Sequence, residues 1–117
     1  MAINIVGGTV QASAALAFNA QTGTTYTLVS SDANNTLVTT SNASAITVTI
    51  PPSVFTAGQQ INVASIGAGL TSFAAGSGVT VTSTGATAAA PKLRAQYSAG
   101  TVICTASNTF LVVGDLS

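Results

Sequence analysis

The stretch AITVTIPP, residues 45–52, decides what kind of protein this is. Ile46, Val48 and Ile50 alternate with Thr47 and Thr49, and a period of two puts the apolar side chains on one face of an extended segment and the threonines on the other. Val, Ile and Thr are stiff at χ1 and fit a pleated surface. Pro51 and Pro52 stop the strand, because neither can donate to a ladder. Residues 79–83 repeat the pattern, with Val79 and Val81 inside and Thr80 and Thr82 outside.

Working outward, the same signature predicts further strands over 2–6, 24–30, 36–40, 60–65, 93–98, 101–105 and 109–113, separated by links rich in Gly, Asn and Ser. Asp32, Asn34 and Asn35 suit a hairpin turn, since Asx side chains bond their own backbone and tolerate positive φ. Ser107 and Asn108 suit the turn of a C-terminal hairpin over 101–113. The Ala-rich stretches 12–20 and 86–90 are too short and poorly capped to predict a helix. About nine short strands in 117 residues predict an all-β, single-domain fold, a β-sandwich or jelly-roll-like barrel. Within it, residues 1–25 form an N-terminal strand or arm and 26–117 the main module.

Charge narrows the function. Asp32, Lys92, Arg94 and Asp115 are the only charged side chains, and they sum to zero. Such a chain has no field to gather phosphates, so no nucleic-acid partner is expected. No run approaches the roughly 18 apolar residues of a spanning helix, so no membrane partner is expected either.

Histidine and glutamate are absent, which removes the commonest general base and half of the carboxylates. Asp32 and Asp115 would pair only through a tertiary coincidence. A serine beside Lys92 is the one conceivable nucleophile arrangement, and the spacing singles out no serine. Gly76-Ser77-Gly78 precedes a Val-Thr strand rather than a helix, so it reads as a turn and not a phosphate loop. The expectation is a protein without catalysis, metal or cofactor. Cys104, alone and flanked by Val102 and Ile103, reads as a small core residue.

Assembly is what the composition favours. Charge is a usual guard of sheet edges, and a β-rich chain without it is safest when its edges are hidden in a permanent oligomer. Two sets of residues are candidate contacts. Ile3, Ile5 and Val6 lie in an extended apolar segment that either begins the domain's own sheet or adds to a neighbour's edge. Lys92 and Arg94, two apart, share one face of a strand, where they guard an edge or meet a partner.

A run of local patterns then becomes informative in order: Tyr26-Thr-Leu-Val-Ser-Ser-Asp32, Thr47-Val-Thr-Ile-Pro-Pro52, Gly58-Gln-Gln-Ile-Asn-Val63, Gly67-Ala-Gly69, Ala75-Gly-Ser-Gly-Val79, Lys92-Leu-Arg-Ala-Gln-Tyr-Ser98 and Phe110-Leu-Val-Val-Gly-Asp-Leu116. Over residues 26–116 the chain resembles a β-rich module of tailed-bacteriophage virion proteins. It departs from that pattern at Ala95, where glycine is expected, and at Phe110, where tryptophan is common. The resemblance implies a virion structural protein made in the host cytoplasm. With little chain ahead of the module, it implies a capsid decoration (cement) protein that sits on the outer head as a homotrimer and contacts the major capsid protein. A tail-fibre or receptor-binding tip is the alternative. From another class, the Thr-Val-Thr pairs at 47–49 and 80–82 raise an ice-binding or adhesive surface, which requires a regular repeat, and the intervals have no fixed period.

Overall fold

A computed structural model describes residues 3–6, 9–12, 15–83 and 90–117. Among these, β1 (Ile3–Val6) and β2 (Thr9–Ala12) form an antiparallel two-stranded sheet of their own. The chain then enters β3 (Ala17–Gln21), β4 (Thr25–Thr27), β5 (Thr36–Thr40), β6 (Ile46–Ile50), β7 (Gln60–Ser65) and β8 (Thr71–Ala75). β3, β5 and β7 are successive parallel neighbours in one sheet, and β4, β6 and β8 are successive parallel neighbours in a second. Each rung therefore gives one strand to each sheet, and three rungs stack as a short β-solenoid.

This corrects the expected sandwich or jelly roll, whose neighbouring strands run antiparallel. The all-β, single-domain expectation holds. Period-two patterning is the same in both architectures, and what separates them is the route between strands. The links at 22–24, 41–45 and 66–70 carry the chain round a corner into the other sheet instead of folding it back as a hairpin. A parallel pair needs a crossover of a dozen or more residues, and here each crossover contains a strand of the opposite sheet.

Asp32 shows how the route is enforced. The expected hairpin turn at Asp32, Asn34 and Asn35 does not form. Ser30–Asp32 make a single 3-10 turn instead, and Asp32 is buried. Its carboxylate accepts hydrogen bonds from the Tyr26 hydroxyl and the Val29 amide, pulling the segment inward between the sheets. Asn34 still adopts φ 67°, as its side chain permits.

The core fills the space between the two sheets. Ile46, Val48 and Ile50 all point inward and are buried, as their alternation predicts, alongside Val38, Ile61, Val63 and Phe73. In-register parallel pairing stacks like on like: Val38 lies beside Val63, and Tyr26, Val48 and Phe73 follow one another across the second sheet. At the corners the stacking is tighter still. A Cβ on Gly69 would overlap the Ser44 carbonyl, and one on Gly67 would stand 2.6 Å from the Asn42 amide nitrogen. Only glycine lets the third corner rest directly on the second.

Beyond the third rung the parallel pattern ends. β10 (Ala99–Ala106) pairs antiparallel with β7, and β11 (Thr109–Gly114) returns beside it as the expected hairpin, with Asn108 at φ 52° in the turn. β9 (Thr80–Ser83) joins β11 in parallel at the far edge, giving the six-stranded order β3-β5-β7-β10-β11-β9. The strand expected over 93–98 is absent. Lys92 and Leu93 make single bridges to Ser72 and Leu116, and the chain then turns, with Tyr97 at φ 70° breaking the extension.

Candidate functional surface

No pocket opens among the described residues, and no three potential metal-ligating side chains converge there. Two outer sheet faces and two polar clusters remain as candidates.

The outer face of the three-stranded sheet is hydroxylated. Register places Thr25, Thr47 and Ser72 in one row and Thr27, Thr49 and Ala74 in the next. Lys92, exposed and bridged to Ser72, continues the first row.

The outer face of the six-stranded sheet is uncharged and mixes aliphatic and aromatic side chains with Thr, Asn and Gln. One row runs Phe18, Leu37, Asn62, Thr101, Val113, and another Gln60, Ile103, Leu111, Thr82. Phe18 is 71% exposed, and Leu37, Ile103, Leu111 and Val113 are partly exposed. Thr101 donates its hydroxyl to the Asn62 side-chain carbonyl at 2.8 Å, which links the two polar residues at the centre of this face. None of the chain's four charged side chains lies on these strands.

The alternation rule passes over these outward positions, although the sequence carries a signal for them. TVIC (101–104) and FLVV (110–113) are near-continuous apolar runs, the mark of strands covered on both faces. Their inner residues Val102, Cys104, Phe110 and Val112 are buried in the core. The outer ones have no such cover within the described chain.

Arg94 is engaged. Its guanidinium donates to both carboxylate oxygens of Asp115 at 2.8 and 2.9 Å, and the Ser98 hydroxyl donates to the same carboxylate at 2.7 Å. The hydrogen bonds from Arg94, with those from Ser98, hold the Asp115 carboxyl below its ordinary value, and Asp115 in turn raises the guanidinium. This network closes the turn at 94–98, where Ala95 N–H donates to Ser98 Oγ. Lys92 and Arg94 thus occupy neighbouring exposed positions with buried Leu93 between them, one at the end of a threonine row and one in an ion pair. Ile3, Ile5 and Val6 lie on β1, which pairs with β2 in a two-stranded sheet separate, among the described residues, from the two sheets of the solenoid.

The second polar cluster closes the first rung. Asn19 Nδ2 donates to Asp32 Oδ1 at 2.8 Å, Tyr26 Oη donates to Asp32 Oδ2 at 2.6 Å, and Gln21 Nε2 donates to Asn19 Oδ1 at 2.7 Å. Burial, with the hydrogen bond to the Asp32 carboxylate, pushes the Tyr26 phenol up to about 12. Asp32 and Asp115 serve separate networks and form no acid–base pair. Cys104, the chain's single cysteine, is buried as expected; its thiol donates to the Ala106 carbonyl at 3.2 Å and is pushed up by burial.

The chain matches no protein-family model, no curated protein and no solved structure.

Proposed function

We propose that this protein is a structural component of a bacteriophage virion, a capsid decoration (cement) protein that sits on the outer head as a homotrimer against the major capsid protein. The observation that carries the reading is the broad uncharged face of the six-stranded sheet, in a chain whose described residues offer no pocket. Uncharged sheet faces with half-exposed aliphatic side chains suit protein contact, here between the copies of the homotrimer. The residue pattern over 26–116 supplies the virion context.

Gold-labelled antibody against the protein, applied to intact particles, tests this. Label on heads is expected. Label on tails would favour the fibre-tip alternative, and unlabelled particles would refute a virion role.

One observation favours the ice-binding or adhesive reading. The rows Thr25-Thr47-Ser72 and Thr27-Thr49-Ala74 are aligned by in-register parallel pairing although their sequence intervals differ. Thermal hysteresis in purified protein would support this second reading, and its absence would remove it.

A further inference from the structure

The two outer faces of the solenoid are made for different neighbours. Rows of threonine and serine on the three-stranded sheet keep hydroxyls available to water. The six-stranded sheet instead presents Phe18, Leu37, Ile103, Leu111 and Val113 among Gln60, Asn62, Thr82 and Thr101, with Thr101 donating to Asn62 at its centre. We infer that the outer face of the six-stranded sheet is the surface through which copies of this chain associate, each packing it against the same sheet of its neighbours.

Three features identify the occupant as another copy. The first is charge: a heterologous partner is commonly selected by complementary charge, and this face has none to complement. Identical copies of a chain with zero net charge meet without repulsion. The second is area. Six strands about 4.8 Å apart and about five residues long span on the order of 500 Å², so two such faces hide about 1,000 Å² together, the lower bound for a specific interface. The third is shape, because a sheet face packs readily on another sheet face, and the same face on both copies makes a self-complementary contact.

The inference deepens the self-association part of the proposed function and rests on it, while leaving the copy number to light scattering and the virion location to the labelling experiment. Light scattering after size exclusion would compare wild type with Leu111→Arg, Thr101→Arg and a control, Thr49→Arg, on the opposite face. Wild type and Thr49→Arg should run as the oligomer. Leu111→Arg and Thr101→Arg should fall to the 11.4 kDa monomer with unchanged circular dichroism. Should Leu111→Arg fail to fold, Thr101→Arg decides, since it replaces an outward side chain that is already polar. An oligomer that survives the foldable variants would overturn this face and leave self-association standing. A monomeric wild type would overturn both, and loss of the oligomer in Thr49→Arg alone would assign the contact to the other sheet.

Discussion

At its first rung the solenoid ends in Asn19, Gln21, Tyr26 and Asp32, hydrogen-bonded to one another between the sheets. Beyond its third rung it ends under the β10–β11 hairpin, where the Phe110 ring stands edge-on to Phe55 at 6.1 Å and 88°. A stack of parallel rungs leaves its core open at each end. One end here is closed by polar groups that satisfy each other, and the other by apolar rings under antiparallel strands. The difference teaches how each should fail. An apolar cap loses stability in proportion to the volume removed, whereas a polar plug loses it through the partners left unpaired.

The largest effect is expected at the apolar end. Phe110 is fully buried, and Phe110→Ala should cost about 3–5 kcal/mol in urea unfolding, through lost burial plus the cavity. A loss under about 1 kcal/mol would mean that the hairpin is not what closes this end.

The polar end comes next. Asp32→Ala leaves the Tyr26 hydroxyl and the Val29 N–H without their acceptor and leaves Asn19 Nδ2 only the Tyr26 hydroxyl oxygen, and should cost about 2–3 kcal/mol. Substituting Tyr26→Phe together with Asp32→Ala should cost less than the sum of the two alone, because the double variant removes a partner along with the orphaned group. Strict additivity in that cycle would show that the plug is not a coupled unit.

Strands at 36–40 and 60–65 appear with the expected bounds, and the alternation at 46–50 assigns the right faces. β3 (AFNAQ) and β8 (TSFAA) escaped because small residues and amides carry little strand signal. The solenoid itself was hidden by unequal rungs. Ladder partners are 19 residues apart for Ala17 and Thr36, 22 for Thr25 and Thr47, and 25 for Leu37 and Asn62, so no fixed repeat shows. Only the upper rungs keep step, where Asn42 lies under Gly67 and Ser44 under Gly69. Of the candidate contacts, Lys92 and Arg94 were visible as rare charges. The aliphatic outer face is signalled only by the continuous runs TVIC and FLVV, and which residues of distant strands line up beside them depends on a register that no local pattern carries.

The polar end should also reveal itself at alkaline pH. The Tyr26 phenol has its folded pKa raised to about 12, so the fold prefers its protonated form. Its contribution is complete below the unfolded value near 10 and is lost as pH rises from there through about 12. The loss should be on the order of 1–2 kcal/mol for a half-buried group. Comparing wild type with Tyr26→Phe across that range isolates it from the Cys104 thiol, whose raised pKa adds its own loss in both proteins. Parallel curves for the two proteins would contradict the assignment.

The smallest effect belongs to the acid side, away from both ends. Asp115 has a lowered folded pKa, first through the Arg94 hydrogen bonds and then through that from Ser98. A depressed carboxyl contributes stability above its unfolded value near 3.9 and loses it as pH falls through the lower folded value. Both partners are solvent-exposed, so water and salt screen the pair and its share is slight. Arg94→Ala should therefore leave the denaturation midpoint near wild type at pH 7 and flatten the decline below about pH 4. A clear fall at neutral pH that 1 M salt does not reduce would mean that the ion pair, by holding the 94–98 turn against β7, does structural work beyond its charges. The hydrogen bond from the Tyr97 amide to the Ser65 carbonyl, at 2.6 Å, is the contact through which such an effect would reach the third rung.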